Sequence, residues 1–297
     1  MKNYHLFLGI TITTLLLLNC NNNDKRADGY GNFEATEITV SAESNGKLMQ
    51  FNINEGDVVS KDVFVGYVDT IPLHLQREQL KTSKDILRSK SRGVLSQIDV
   101  LKSQLNTAAI NKQRLDNMFK DNAATQKHLD DINGEINVIN QQIKSIETQN
   151  SPLVNELKSI DIQITQLDHM IGKCKIINPI SGTVLTTYAE PNEVAAFGKP
   201  LYKIADLKTM QLRVFVSETQ LAKLKIGDEV NIKIDDGDTM KSYSGIVSWI
   251  ASEAEFTPKI IQTKEERVSL VYAVKVDVEN DGGIKIGMPA EMWLKEK

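Results

Sequence analysis

The feature that most constrains this chain is a pair of long heptad patterns separated by a short polar break. Leu73, Leu80, Leu87, Val94, Leu101, Ala108 and Leu115 recur every seven residues, and all are apolar. Beyond the break Leu129, Ile132, Ile136, Ile139, Ile143, Ile146, Asn150, Leu153, Leu157, Ile160, Ile164, Leu167 and Ile171 alternate steps of three and four. That spacing keeps one stripe of a helix turned toward a partner helix. Two such segments with so short a break between them are expected to fold back on each other, as an antiparallel coiled-coil hairpin over residues 71–172. At about 1.5 Å per residue each arm reaches roughly 70 Å. A projection of that length on a 297-residue chain implies an elongated protein built to reach something.

The heptads interrupt a β-motif that occurs twice. Ser44-Asn45-Gly46-Lys47-Leu48 is answered by Ile180-Ser181-Gly182-Thr183-Val184-Leu185. Glu55-Gly56-Asp57-Val58 is answered by Pro191-Asn192-Glu193-Val194, at the same distance from the glycine. Val65-Gly66-Tyr67-Val68-Asp69 is answered by Leu201-Tyr202-Lys203-Ile204-Ala205-Asp206, one residue longer. A half-motif of this size cannot bury a core alone. The halves, 33–70 and 173–206, are therefore expected to pair into one small β-sandwich, from which the two ends of the hairpin leave side by side.

Past Asp206 the chain is strand-rich. Met210 to Val216 alternates, and Ser217 is placed to cap a short helix running through Leu224, with Glu218 in its first turn and Gly227 beyond it. Val230 to Ile234 runs into the turn Asp235-Asp236-Gly237-Asp238, and Ser244–Ala251 and Leu270–Val278 alternate again. Residues 207–280 fit a small β-barrel. The acidic turn has the look of a calcium-loop fragment, but without the downstream ligands a hairpin turn is the better reading. A last strand follows the Gly287-Met288-Pro289 turn within 281–297. It is expected to lie nearest the membrane and to return to the strands after Phe33. The fold class is thus mixed α and β: a split sandwich, its inserted hairpin, then a barrel.

The N-terminus reads as a targeting segment. Lys2 precedes an apolar run from Leu6 to Leu18, too short for a bilayer core that needs about 20 residues but of signal-peptide length. The run ends in Leu17-Leu18-Asn19-Cys20, which resembles a bacterial lipoprotein lipobox, with Asn19 where a small residue is usual. Cys20 is then the lipidated first residue of the mature chain, and residues 1–20 the signal. The other reading is a conventional signal with a chance cysteine. Residues 21–32 are polar and Gly-containing and read as a tether. The only other cysteine, Cys174, is expected as a buried thiol, so there is no disulfide framework and no paired metal motif.

Composition excludes several classes of function. Lys plus Arg is 35 against Asp plus Glu 39, a net charge of −4, which disfavours a nucleic-acid partner. His5, His74, His128 and His169 show no metal-ligand spacing. The chain contains no P-loop, no Gly-rich dinucleotide turn and no nucleophile motif, so neither catalysis nor a cofactor is expected. A biotin or lipoyl carrier would need a lysine on a turn between the half-motifs; the heptads occupy that place, and Lys47 and Lys61 lie in other contexts.

Two β half-motifs split by a coiled-coil hairpin, then a barrel, behind a lipobox, resemble the HlyD-type periplasmic adaptors, or membrane fusion proteins, from about Phe33 onward. The half-motifs look like halves of a biotinyl/lipoyl domain. Glu255-Phe256-Thr257-Pro258-Lys259, Gln262-Thr263-Lys264-Glu265-Glu266-Arg267 and Val271-Tyr272-Ala273-Val274-Lys275-Val276 look like the subgroup serving ABC-type exporters. The resemblance implies a protein anchored by its lipid at the periplasmic side of the inner membrane, working with an inner-membrane ABC transporter permease and a TolC-like outer-membrane channel, and assembled into a hexameric ring. The alternatives are a coiled-coil structural lipoprotein and the adaptor of a non-ABC efflux pump.

The same resemblance singles out the hairpin tip. Adaptors that dock on TolC-like channels carry Arg, then Leu four residues later, then Ser seven further on; Arg114, Met118 and Thr125 stand at those spacings. A guanidinium in the last turns of the first arm can bond carbonyls of a partner, Met118 is an adaptable apolar contact, and Thr125 is placed to cap the second arm. Equally, Thr125 only caps and Met118 only fills the end of the seam. Asn150, at an a position beside Pro152, sets register or bends the second arm, or is a local irregularity.

Overall fold

The computed structural model describes residues 26–237, 239–256 and 270–295. The signal segment, Cys20 and the stretch Thr257–Arg267 of the exporter-subgroup resemblance lie outside the described residues. In chain order the first strands are β1 (Gly29–Glu34), β2 (Glu37–Ser41), β3 (Gly46–Phe51), β4 (Val58–Val59) and β5 (Phe64–Val68). The helices α1 (Ile71–Lys120) and α2 (Gln126–Lys173) follow, then β6 (Lys175–Ile177), β7 (Gly182–Thr187), β8 (Val194–Ala195) and β9 (Pro200–Ala205). The last part is β10 (Thr209–Val216), α3 (Glu218–Leu221), β11 (Glu229–Asp236), β12 (Thr239–Ile250), β13 (Glu255–Phe256), β14 (Leu270–Glu279) and β15 (Pro289–Leu294). They form two compact units, one holding the barrel and the other the hairpin with the sandwich.

The sandwich consists of two four-stranded sheets, ordered β2-β9-β7-β4 and β6-β5-β3-β8. Each sheet takes two strands from each half-motif, so neither half can close a core without the other. At the centre Asn178 is fully buried. Its amide donates to the Ser60 carbonyl at 2.8 Å and to the Ile180 carbonyl at 2.5 Å, and its oxygen accepts from the Tyr202 hydroxyl at 3.0 Å. A buried amide satisfied on both sides is a permitted polar group in an apolar core. Burial holds the Tyr202 hydroxyl protonated by pushing its pKa up to about 12.

The hairpin leaves this sandwich where β5 and β6 pair, and the Val68 N–H bonds the Cys174 carbonyl at 2.9 Å across its two ends. Cys174 is a buried free thiol. Toward the far end Ala108, Ile132 and Ile139 are buried in a cluster with Leu101, Leu105, Leu115, Ile136 and Ile143. The heptad reading assigned one stripe to the first arm; the structure shows a second seam row that is largely polar. Arg77 pairs with Asp168 at 2.9 Å and Lys84 with Asp161 at 2.5 Å, one heptad apart on both arms. Ser91, buried, donates to the Asn150 side-chain oxygen at 2.7 Å. Asn150 thus has a partner across the seam, the arrangement by which a seam asparagine can set register. Pro152 lies inside α2, which continues through it to Lys173.

The barrel closes in the order β10-β1-β15-β11-β12-β14 and back to β10, with β13 added along β14. All its pairings are antiparallel. Strict alternation along β10 sends Met210, Leu212, Val214 and Val216 into the core, where they meet Phe33, Ile232, Val276 and Met292. The Ser217 capping box starts α3, which ends at Leu221, short of the expected Leu224.

Here the structure corrects the domain limits expected from sequence. Residues 29–32, read as tether, and Phe33–Glu34, read as the start of the sandwich, form one barrel strand between β10 and β15. The terminal strand in 281–297 is not a separate element but the next stave of the same barrel, paired to β1 and β11. The physical reason is closure: without β1 and β15, strands β10 and β11 would present two unpaired edges. Gly31 permits the fit, because a Cβ there would stand 1.9 Å from the Arg213 carbonyl oxygen.

Candidate functional site at the hairpin tip

The tip is a five-residue turn whose first three backbone N–H groups bond back to α1. Helix α1 ends at Lys120, and Asn122 takes the left-handed conformation, φ 60°. The Ala123 N–H bonds the Met118 carbonyl at 2.8 Å and the Asn122 N–H bonds the Phe119 carbonyl at 3.0 Å. These are the two bonds of a Schellman motif with asparagine in the usual glycine place. Thr125 then caps α2: its backbone is extended and its hydroxyl accepts from the His128 N–H at 3.4 Å. The capping role foreseen for Thr125 is thus observed, and the motif ties Met118 to the turn that leads to it.

Arg114 and Met118 lie one helical turn apart on the same face of α1, and both are exposed. Asp116, two residues on, pairs with Lys112 at 2.9 Å. No intrachain partner takes the Arg114 guanidinium among the described residues. Met118 does not fill the end of the seam; it faces solvent, as does Phe119 beside it. Ile110, one turn before Arg114, is also exposed, so an apolar residue flanks the guanidinium on each side. Sequence reading missed Ile110 and Phe119. The i, i+4 spacing of 110, 114 and 118 carried the signal for the first; Phe119 had none, because an apolar residue at a helix end reads as core.

Among the described residues no group of three or more His, Cys, Asp or Glu is placed to hold a metal ion, and no helix is long and apolar enough to cross a membrane. A fixed turn carrying one unpaired guanidinium between apolar side chains suits docking against protein carbonyls or carboxylates.

The chain matches no protein-family model. It is similar to a UPF0194 membrane protein of Citrobacter koseri, 22% identical over 293 residues that cover 90% of this chain and 88% of that protein. UPF0194 membrane protein YbhG of Salmonella arizonae is equally similar in identity and coverage. Among solved structures, MacA from Actinobacillus actinomycetemcomitans superposes with TM-score 0.54 at 20% identity, over 89% of this chain and 76% of that one. The membrane fusion protein Spr0693 from Streptococcus pneumoniae gives TM-score 0.54 at 18% identity, over 90% and 98%. The fold is that of the membrane fusion proteins.

Proposed function

We propose that this chain is the periplasmic adaptor of an export system, bridging an inner-membrane ABC transporter and a TolC-like outer-membrane channel. The observation that carries the reading is the hairpin tip. A capped turn presents Arg114, unpaired among the described residues, between Ile110 and Met118 at the far end of two helices of 50 and 48 residues. The fold shared with membrane fusion proteins and the likeness to proteins named for the membrane support it. In this reading the adaptor works mechanically. Copies associate side by side in a ring, Cys20 carries the lipid that anchors each copy to the inner membrane, and the tips engage the channel through Arg114, Met118 and Thr125. ATP hydrolysis belongs to the transporter.

The test is Arg114→Glu in the full chain. Channel capture and export are expected to fail while helicity and melting stay unchanged, because Arg114 has no intrachain bond to lose among the described residues. Export that survives the reversal of charge removes the tip from the mechanism. Tagged wild-type protein that brings down no ABC permease removes the partner assignment.

A further inference from the structure

The barrel carries a second surface that the tip does not explain. Strand directions gather several features at one end. The chain comes in there at Gly29, opposite Met292. Strand β10 finishes there, with Tyr30 opposite Phe215. Strand β11 starts there, with Val230 opposite Leu294 and Glu229 opposite Ile246. Large apolar side chains are exposed at this end: Ile226 is 66% exposed, Ile246 56%, Leu270 53% and Trp249 41%. The Gly227 N–H bonds the Val247 carbonyl at 2.8 Å, which holds the Ile226 loop against the strand bearing Ile246 and Trp249. Lys275 sets its ammonium 5.8 Å from the Trp249 ring centre, the pairing of an amphipathic ring with a lysine that suits a water–lipid boundary. The opposite end is richer in acid: Asp235, Asp236, Glu279 and Asp281 lie there, beside the exposed Met240 and Ile286.

The length of chain ahead of the barrel decides which partner this end meets. The Asp28 N–H already bonds the Met292 carbonyl, so the barrel begins at Asp28. From Cys20 to Asp28 a fully extended chain spans no more than about 28 Å. A lipid on Cys20 therefore holds this end within one headgroup-and-tether length of the bilayer. We propose that this end of the barrel rests on the lipid surface, with Ile226, Ile246, Trp249 and Leu270 seated in the headgroup boundary. The proposal takes its anchor from the adaptor reading; the surface itself is a property of the barrel. Lys223, Lys225 and Lys295 are interspersed with Asp28, Asp228 and Glu229, so the attraction is apolar, not a pull on anionic lipid.

The chain's two tryptophans, Trp249 and Trp293, provide the test. The full lipidated chain is reconstituted in phosphatidylcholine vesicles with and without brominated acyl chains, as Trp293→Phe and as Trp249→Phe. Brominated lipid is expected to lower Trp249 emission about twofold against unbrominated lipid, as for a tryptophan at the interface. The difference should persist at about 1 M salt, where surface charge is screened. Adding Ile226→Ser and Ile246→Ser should return Trp249 emission toward its unbrominated value. Unquenched Trp249 in a chain that stays with the vesicles overturns the proposal and leaves the anchor standing. Quenched Trp249 in a chain that alkaline carbonate strips off supports the surface and removes the anchor. Unquenched Trp249, with permease capture lost in the double serine variant, makes the patch a protein contact and also overturns it.

Discussion

Gly56 and Asn192, in different half-motifs, each adopt the left-handed backbone and each donate to a core residue of the other half. Their φ values are 89° and 77°. The Gly56 N–H bonds the Val184 carbonyl at 2.9 Å, and the Asn192 N–H bonds the Leu48 carbonyl at 2.7 Å. The next residues reciprocate, the Asp57 carbonyl accepting from Val184 and the Glu193 carbonyl from Leu48. The repeat seen in the sequence is therefore a two-fold relation in space, and it explains why a turn needing positive φ is glycine in one half and asparagine in the other.

The two turns should respond alike to a Cβ that lacks a local polar group. Nothing lies within 4 Å of a Cβ built on Gly56, so Gly56→Ala carries backbone cost alone, about 1 kcal/mol. Asn192→Ala should lose a similar amount and Asn192→Gly little. Urea midpoints of the three variants check this; a neutral Gly56→Ala would show that the turn can relax.

Removing the seam hydroxyl leaves an acceptor without its donor. Ser91→Ala should cost about 1 kcal/mol through the Asn150 oxygen. The double variant Ser91→Ala, Asn150→Leu should regain that loss yet weaken the choice of register. Thermal melting reads the first effect, and disulfide trapping between cysteines placed across the arms reads the second.

The sandwich core should be less forgiving. Tyr202→Phe removes one donor to a buried oxygen and is expected to lose about 1–2 kcal/mol, whereas Asn178→Leu also orphans the Ser60 and Ile180 carbonyls and should lose more. Chemical denaturation ranks the pair. Because burial raises the Tyr202 pKa to about 12, no stability change from this hydroxyl is expected between pH 7 and 9.

Acid should loosen the loop after β14. Asp281 accepts from the Lys241 ammonium, the Tyr243 hydroxyl and the Gly283 N–H. The Lys241 bond, first among these, lowers its pKa from 3.8 to about 2. A depressed carboxylate contributes stability above its unfolded pKa and loses it as pH falls through the folded one. The clasp should therefore be intact at pH 5 and weaken progressively from about pH 4 to pH 2. Melting temperatures of wild type and Asp281→Asn should converge over that window. A constant difference down to pH 2 would place the effect elsewhere.

How much was legible follows from the kind of signal each element carries. The arms were read from apolar period alone, and their residues do face each other. The paired half-motifs were legible because the same turn chemistry recurs at the same spacing. The first strand was not: Gly29-Tyr30-Gly31-Asn32 is Gly-rich and short, and local composition cannot separate a tether from a strand that exists only because two distant edges need covering. Arg77, Lys84 and Ser91 were passed over for a related reason. A polar residue at a seam position reads as a gap until Asp168, Asp161 and Asn150 are placed opposite it.

The amino-acid order by itself determined the helix faces, the turn positions and the division into hairpin, sandwich and barrel strands, because period and turn residues act over a few neighbours. Only the tertiary structure decided that residues near 30 and near 290 share one barrel, that Asn150 meets Ser91, and that Arg114 has no partner among the described residues. Those are pairings between distant segments, chosen by edge closure and by what remains exposed once every core is filled.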